Sequence, residues 1–470
     1  MRGAPVTALL LRDVEVAGRR ADVRLAGGVV AGIGAGLPPL PGEEVLDGCG
    51  GALIPGLHDH HIHLMATAAA GRSVHVGPPE VSSRAELADV LRRADAALPP
   101  GAWLRAVGYH ESVAGDLDRE ALDGLLPHRP VRVQHRSGAQ WSLNGAACRA
   151  VGLDDGRLPE GAETDGAGRP TGRLLRADVW LRERLPAEPL PDLAGLGRRL
   201  ARSGVTGVTD ATPVERVADL RVLAEAGLPQ RLTLTGGPAL AAADFPAGVA
   251  RGPVKLVVTD HEFPELGALA AAIEAAHRAE RPVAVHCVSL VALVLALAAW
   301  EQAGVRHGDR IEHASVVSPE LVPVLAERGL TVVTQPGFVA ERGDRYLLDV
   351  PPEDHADLYR CGSLLAAGVP VAGSTDAPYG PPDPWRAVKA AIERRTAGGR
   401  VLGAGERIPP RRALELFLTP PGAPGGRPRS VVPGVTADLV LLAAPLGDVL
   451  TDPSSDAVVR TFFAGTPFPA

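Results

Sequence analysis

Residues 55–64 read PGLHDHHIHL and place four histidines and one aspartate within six positions. In an extended chain alternate side chains share one face, so this stretch offers two His-x-His pairs. One pair is His58 with His60, and the other is His61 with His63. Because a divalent metal needs two ligands on the same side, either pair is geometrically suited to hold one. We therefore interpret this stretch as a strand that can carry part of a metal site.

The stretch overlaps the first of eight strand-like runs, most of them separated by helix-length segments. The runs are 52–61, 205–210, 231–235, 254–258, 281–286, 309–313, 330–335 and 369–376. Eight parallel strands with intervening helices describe an α/β fold of the (β/α)8 TIM-barrel type. The long gap after the first strand, residues 64–200, is interpreted largely as an insertion or lid over the mouth of the barrel.

Both ends of the chain differ from this middle region. They contain short segments in which apolar and polar residues alternate, separated by Gly and Pro. This pattern is typical of antiparallel strands joined by turns. A Pro- and Gly-rich connection over 419–434 precedes the last of them. We predict that residues 1–54 and 411–470 together form a β-sandwich and that residues 55–410 form the barrel. The expected fold is thus a distorted barrel beside a small β-sandwich formed by both termini.

Composition restricts the partners. The net charge is -7 without a long run of one sign, which argues against nucleic-acid binding. The N-terminus lacks an apolar segment long enough for a secretory signal. The four cysteines are widely spaced, as suits a reducing compartment. We expect a cytoplasmic protein that acts on a small molecule without a membrane partner, and a homo-oligomer is compatible with the sequence.

Lysine is almost absent, since only Lys255 and Lys389 occur among 48 basic residues. Arginine provides nearly all of the positive charge in this chain. A lysine that is present in spite of this bias suggests a need for a neutral amine, which a guanidinium cannot supply because it stays protonated. Lys389 lies in a charged helical pattern and is interpreted as a surface residue. Lys255 lies in GPVKLVVTD, where a buried ammonium is costly unless it is paired or modified.

Barrel enzymes carry their chemistry at the C-terminal ends of the strands. Nitrogen and oxygen donors that suit zinc or a similar ion occur in or at the ends of five predicted strands. These donors are His61, His63, Lys255, His286, His313 and Asp376. One histidine at such a place is usually polar lining, but six donors in corresponding positions indicate a metal site.

The chain resembles the amidohydrolase superfamily, nearest to its amidohydrolase-3 or YtcJ-like branch. The resemblance covers essentially the whole chain and rests on the ordered motifs PGLHDHHIHL, VKLVVTD, VAVH, RIEHA and GSTDAPYGPPDPW. It implies a metal-dependent hydrolase that cleaves a non-peptide C–N bond in an amide, an N-formyl compound or a cyclic amide. Metal-activated hydroxide would attack the carbonyl carbon.

The family pattern can be carried over residue by residue. His61 and His63 match the first-strand metal pair, so His58 and His60 are assigned to packing or outer contacts. Lys255 matches the lysine that is often carboxylated to bridge two metals.

The later strands complete the implied site. His286 and His313 match the remaining histidine ligands, and Asp376 matches the aspartate that binds metal and shuttles a proton. The implied cofactor is one or two divalent ions, with Zn2+ expected first and Fe2+ or Mn2+ as alternatives. Substrate specificity is not carried over, because CVSL follows the strand-five histidine where the branch commonly has a small-x-Gly-Asp pattern, and His261 stands where the branch commonly has glycine.

Several residues near predicted strand ends or loops are candidates for substrate binding. They are Tyr109, Trp141, Gln335 and Tyr379. Three other functions stay open. The same barrel could deaminate an aminated heterocycle or hydrolyse a lactone or ester, and a catalytically inactive binding barrel is the non-enzyme alternative.

Overall fold

The computed structural model describes residues 8–186, 189–260 and 263–469. His261 and the first seven residues of the predicted N-terminal segment lie outside the described residues. The chain divides into two compact units. The first comprises Met1–Leu64 and Leu193–Ala470, and the second is Met65–Asp192, which lies within the segment interpreted from the sequence as an insertion.

The strands and helices follow one another along the chain. The strands are β1 (Ala8–Val16), β2 (Arg19–Ala26), β3 (Val29–Gly34), β4 (Glu44–Asp47), β5 (Leu53–Pro55), β6 (Leu57–Ile62), β7 (Val74–His75), β8 (Leu104–Tyr109), β9 (Val131–His135), β10 (Gln140–Leu143), β11 (Ala162–Thr164), β12 (Pro170–Leu175), β13 (Val205–Asp210), β14 (Arg231–Leu234), β15 (Ala250–Arg251), β16 (Val254–Val257), β17 (Val283–Cys287), β18 (Arg310–His313), β19 (Thr331–Thr334), β20 (Val371–Gly373), β21 (Leu439–Leu442), β22 (Val458–Phe463) and β23 (Thr466–Pro467). The helices are α1 (Leu64–Ala70), α2 (Arg84–Ala97), α3 (Glu111–Ala114), α4 (Arg119–Asp123), α5 (Gly145–Ala150), α6 (Asp178–Arg184), α7 (Leu193–Arg202), α8 (Val217–Ala224), α9 (Leu266–Arg278), α10 (Leu290–Ala303), α11 (Leu321–Arg328), α12 (Gly337–Asp349), α13 (Gly362–Ala366), α14 (Pro384–Glu393), α15 (Pro410–Glu415) and α16 (Leu446–Val449).

Each of the eight runs predicted as barrel strands overlaps a strand of the first unit. These eight strands, together with the short β15, form two parallel sheets, ordered β15-β14-β13-β6 and β16-β17-β18-β19-β20, rather than the single closed sheet of a regular barrel. Helices such as α9, α10 and α11 connect successive strands, as expected for parallel pairing. The C-terminal ends of the strands within each sheet therefore lie along one edge, where ligands usually bind.

The break between the two parallel sheets has a local cause. Residues 250–257 form one extended run that Gly252 and Pro253 divide into β15 and β16. Proline has no N–H to donate and seldom continues a ladder. β15 therefore pairs with β14, whereas β16 pairs with β17. A hydrogen bond from Lys255 N to Gly236 O, 2.8 Å long, crosses the break.

The terminal segments of the first unit form two further sheets, ordered β3-β2-β1-β4 and β23-β22-β21-β5. Alternate residues of these strands point the same way, which places their apolar side chains on one face. The two sheets share one hydrophobic core formed by Leu9, Leu11, Val14, Val23, Leu25, Val30, Leu53, Val431, Ala437, Leu439, Leu441 and Phe462. Residues from both ends of the chain thus pack together, where a β-sandwich was predicted.

The second unit has its own sheet and core. Its six strands are ordered β11-β12-β10-β9-β8-β7. The α2 helix begins after Ser83, whose side chain accepts a hydrogen bond from Glu86 N, as a typical N-cap does. The helix buries Leu87 and Leu91 in a core shared with Val131 and other strand residues. This unit therefore has a sheet and a hydrophobic core of its own, as a separate domain does.

The strongly apolar residues 283–303 form β17 and α10. Ser289 caps the helix by accepting a hydrogen bond from Ala292 N at 3.1 Å. Among the described residues, no helix combines the length and apolar character needed to cross a membrane.

The cysteines offer a simple test of this packing. Cys49 is exposed, whereas Cys148, Cys287 and Cys361 are buried as free thiols. Burial raises the pKa of Cys148 to about 12 and that of Cys361 to about 11, which suppresses their thiolates at neutral pH. We expect a thiol reagent to modify only Cys49 quickly in the native protein and the remaining cysteines after denaturation. Fast modification of a second thiol in the native state would contradict this core.

Candidate metal centre

The PGLHDHHIHL stretch forms β6 and the residues just after it, and its histidines separate as strand alternation requires. His58 Nε2 lies 2.9 Å from Thr209 Oγ1, and His60 Nε2 lies 2.9 Å from Thr419 Oγ1. The two rings pack together with their centroids 4.6 Å apart. His58 and His60 are thus engaged in packing contacts within the first unit.

The second histidine pair of the stretch meets Asp376, which follows β20. Asp376 Oδ1 lies 3.5 Å from His61 Nε2 and 3.3 Å from His63 Nε2. Asp376 N donates a 2.9 Å hydrogen bond to His61 O, which joins the ends of β6 and β20. The His61 side chain is fully buried, whereas that of His63 is 17% exposed. His63 therefore marks the side of the cluster that solvent reaches.

The end of β18 brings two consecutive side chains to the same place. His313 has a φ of +73° and Ala314 a φ of +48°, both in the left-handed region. This conformation breaks the strand alternation, so Glu312 and His313 both face the interior. The His313 ring lies 4.9 Å from that of His61 and 4.4 Å from that of His286. Strands β6, β17 and β18 thus contribute to one cluster.

Glu312 was not identified from the sequence, yet it contacts the cluster directly. Glu312 Oε2 lies 2.5 Å from His61 Nδ1, and its Oε1 accepts a 2.6 Å hydrogen bond from Arg310 Nε. Burial opposes the charge of Glu312, but Arg310 and neighbouring groups hold its pKa well below the ordinary value. Burial lowers the pKa of His61 to about 3, so its ring is neutral at pH 7. Its proton therefore resides on Nδ1, facing the carboxylate, and its Nε2 lone pair points towards Asp376.

Lys255 lies in β16 and is almost completely buried. Burial lowers the pKa of its amine, with a smaller opposing effect from the charge of Glu312. The Nζ atom makes no hydrogen bond within the described residues. The near-unique lysine singled out from composition is therefore a buried amine beside the histidine cluster.

The polar atoms that lack partners provide a direct test of whether the cluster suits a metal. Buried atoms without a hydrogen bond in the described part of the chain include His61 Nε2, His313 Nε2, Lys255 Nζ and Asp376 Oδ1. Leaving one buried polar atom unsatisfied costs about 1–3 kcal/mol. His61 Nε2 and Asp376 Oδ1 are both acceptors only 3.5 Å apart, an arrangement that a cation between them would stabilise. The donor set fits a divalent metal such as zinc.

Asp59 supports this arrangement from within β6. Its carboxylate accepts hydrogen bonds from Thr375 N at 3.0 Å, Thr375 Oγ1 at 2.5 Å and His61 N at 3.3 Å. Burial raises the Asp59 pKa to about 7, although these hydrogen bonds oppose the shift. The carboxyl group thus fastens β6 to the segment that carries Asp376.

The predicted substrate-binding residues fall into two groups. Tyr379 lies near the cluster, with its ring centroid 5.6 Å from that of His63. Gln335 also reaches the cluster, because its Oε1 lies 2.9 Å from a ring nitrogen of His313.

The other two candidates belong to the second unit. The Tyr109 hydroxyl donates to Gly115 O at 2.6 Å, and the Trp141 indole donates to Asp178 Oδ1 at 2.9 Å. The polar atoms of these two side chains are therefore engaged within that unit. Their role in substrate binding stays a prediction.

A second group of possible ligands, also in the second unit, differs in its hydrogen bonding. His110, Glu111 and His135 bring their ligand atoms within 4.8 Å of one another. The Nδ1 atom of each histidine accepts a backbone N–H at 3.1 Å, from Ser112 and Ser137 respectively. In a neutral ring the proton then lies on Nε2, which faces Glu111. This tautomer offers the metal no lone pair, so the cluster containing His61 is the better candidate.

The family assignment agrees with this geometry. The model of the amidohydrolase family matches residues 44–468. The chain therefore belongs to that family, and the predicted amidohydrolase-3 or YtcJ-like resemblance is confirmed. Membership makes it a hydrolase that acts on carbon–nitrogen bonds.

Two proteins of similar sequence and one solved structure resemble this chain. It is 26% identical over 486 residues to the N-substituted formamide deformylase of Arthrobacter pascens, with 90% of each chain covered. It is 23% identical over 434 residues to the putative amidohydrolase YtcJ of Bacillus subtilis strain 168, with 80% of each covered. The fold matches a metal-dependent hydrolase of Pyrococcus furiosus with a TM-score of 0.69 at 21% identity, covering 92% of this chain and 98% of the other.

Proposed function

We propose that this protein is a metal-dependent hydrolase of non-peptide amides, with His61, His63, Lys255, His286, His313 and Asp376 as the metal ligands. The proposal rests above all on one observation, that four buried atoms of these side chains have no hydrogen bond within the described residues: His61 Nε2, Lys255 Nζ, His313 Nε2 and Asp376 Oδ1. Elsewhere in proteins such atoms are nearly always paired. A divalent ion is the simplest group that would satisfy several of them at once.

The neutral state of the histidines supports this role. Burial lowers the pKa of His286 well below its ordinary value and lowers that of His313 as well. A ring that stays neutral at pH 7 keeps a lone pair for a metal, so these side chains need not lose a proton on binding. The two parallel sheets, acting together as a distorted barrel, would hold them at the strand ends.

The chemistry assigned to Asp376 follows from its surroundings. A divalent ion bound here would supply Lewis acidity and lower the pKa of a coordinated water to about 7. Burial opposes the charge of Asp376, but the neighbouring His61, His63 and His313 hold its pKa below the ordinary value, so the side chain is a carboxylate at neutral pH. The carboxylate oxygen that does not hold the ion can take a proton from the attacking water and deliver it to the departing nitrogen.

Lys255 is proposed to act as a carboxylated lysine. A neutral amine can add to carbon dioxide, which forms an N–C bond, releases one proton from the nitrogen and leaves a carbamate. The lowered pKa caused by burial favours the neutral amine that this reaction requires. The product carries two oxygen atoms and would bridge two ions, whereas the unmodified amine could bind at most one.

The substrate class is proposed to include N-substituted formamides. The support is the similarity to the formamide deformylase, which extends over nine-tenths of both chains. A formyl group is the smallest acyl group, and its carbonyl carbon could approach the buried His61 and Asp376 with little steric hindrance. Larger N-acyl compounds and cyclic amides are the next candidates.

A hydrolysis panel tests this proposal. Purified protein would be incubated with N-substituted formamides, N-acyl amides, hydantoin-like cyclic amides, lactones and aminated heterocycles, with and without a chelator. We expect formate and amine from the formamides, loss of this activity after chelation, and recovery with zinc, iron or manganese. Ammonia release from aminated heterocycles without amide cleavage would instead identify a deaminase, and turnover of lactones alone would identify an esterase-like activity.

A further inference from the structure

A buried chain of hydrogen bonds leads from a backbone carbonyl to one of the proposed ligands. Ser374 Oγ donates to Thr334 O at 3.2 Å, and Gln335 Nε2 donates to Ser374 Oγ at 2.9 Å. Gln335 Oε1 then lies 2.9 Å from His313 Nδ1. Thr334, Gln335 and Ser374 are each fully buried. Bulk water therefore cannot reach these groups and take the place of one of the hydrogen-bond partners.

The direction of each bond fixes the state of the next group. The Ser374 hydroxyl gives its proton to a carbonyl, so its oxygen is left to accept from the Gln335 amide. The amide N–H2 group thereby faces Ser374, which turns its oxygen towards His313. An amide oxygen can only accept, so His313 Nδ1 must carry the proton and donate it. The neutral His313 ring then has its lone pair on Nε2.

The opposite orientation of the amide would have the opposite effect. If the Gln335 N–H2 group faced His313, Nδ1 would have to accept and the proton would move to Nε2. A protonated Nε2 would have no lone pair and could not bind a metal. His313 Nε2 is buried without a hydrogen bond in the described part of the chain, as expected for an atom whose lone pair binds a metal.

We infer that Gln335 is a positioning residue that selects the metal-binding tautomer of His313 through its bond to Ser374. This inference rests on the metal site of the proposed function and replaces the predicted substrate contact of Gln335. His61 is held in the same tautomer by the carboxylate of Glu312. Gln335 performs the task without charge, which avoids placing another buried anion beside Glu312 and Asp376.

Three glutamine variants test the inference. Gln335→Met keeps the side-chain size but removes the acceptor, whereas Gln335→Glu keeps an acceptor facing Nδ1. Gln230→Met is the matched control, because Gln230 is also buried and its Nε2 donates to Gly197 O and Val205 O at the opposite end of the strands. Zinc dissociation constants would be measured by competition with a chromophoric chelator, and the melting temperatures of the metal-free proteins would be measured alongside.

We expect Gln335→Met to bind zinc about 10- to 100-fold more weakly, the usual effect of removing a partner of a ligand. Gln335→Glu should bind zinc as tightly as the wild type or more tightly, even if its metal-free form melts lower. Gln230→Met should lose stability but retain the wild-type zinc affinity. Wild-type affinity in Gln335→Met, or equal weakening in Gln335→Glu, would overturn the inference alone. Failure of the wild type to bind zinc, iron or manganese would overturn the proposed metal site and this inference with it.

Discussion

Replacing Asp376 with Asn should lower kcat/KM for an N-substituted formamide by about 10²- to 10⁴-fold, the usual contribution of a general acid and base. The change preserves the size of the side chain but removes the carboxylate that would accept and return the proton. Steady-state kinetics of the metal-loaded variant, with its metal content measured separately, would distinguish a lost proton transfer from lost metal.

Asp309→Asn is the matched control for this variant. Asp309 is a buried carboxylate just before β18, at the end of the strand away from His313. It accepts hydrogen bonds from Trp300 Nε1 and Val283 N, both at 2.9 Å. Its loss should therefore reduce stability while leaving kcat/KM close to that of the wild type. If Asp376→Asn retained wild-type kcat/KM, the proposed proton shuttle would be wrong.

Replacing Lys255 with Arg should also remove most of the activity. Arginine stays protonated at neutral pH and cannot add to carbon dioxide, so the proposed carbamate cannot form. Metal ions contribute several kcal/mol of transition-state stabilisation, so we expect kcat/KM to fall by about 10²- to 10³-fold. Metal content and circular dichroism would be measured with the kinetics to show whether the fold survives.

The two lysines of the chain make this experiment well controlled. Lys389 is partly exposed and contacts Asp452 Oδ1 at 2.6 Å, so Lys389→Arg preserves its charge and should preserve activity. A Lys255→Ala variant should recover part of its activity with added acetate, because a small carboxylate can take the position of the carbamate. Wild-type turnover by Lys255→Arg would contradict the carbamate proposal.

Much of the fold could be predicted because periodicity is a local property. The run 205–210 coincides with β13, and 309–313 differs from β18 by one residue at its start. The division into two parallel sheets could not be predicted in the same way. The division arises because β15 pairs with β14, whereas β16, on the other side of Gly252 and Pro253, pairs with β17. Strand pairing joins residues that are distant in the sequence, so local periodicity does not reveal it.

The candidate site shows the same limit. The donors at the strand ends could be identified because their residue types and spacing are visible, and His61 lies near Asp376 and His313 as a shared site requires. Glu312 was missed because strand alternation places it opposite His313. The left-handed backbone at His313 removes that alternation, and residues other than glycine rarely adopt it. The sequence did contain one indication of this role, because Arg310 and Glu312 are two residues apart on one buried strand and can therefore form an ion pair.

The role of Gln335 could not be inferred from sequence for a different reason. A tautomer depends on the direction of hydrogen bonds between β18, β19 and the segment after β20, which are distant in the chain. Residue type alone makes a glutamine at a strand end look equally suited to bind substrate.

The central claim is that a divalent metal bound by the cluster around His61 is needed for C–N hydrolysis. The most direct measurement is elemental analysis of the purified protein, made together with the rate of formamide hydrolysis before chelation, after chelation and after metal is restored. We predict one or two equivalents of zinc, iron or manganese per chain in the native protein, with activity lost and regained in proportion to metal content. Full activity in a protein freed of metal would contradict the account.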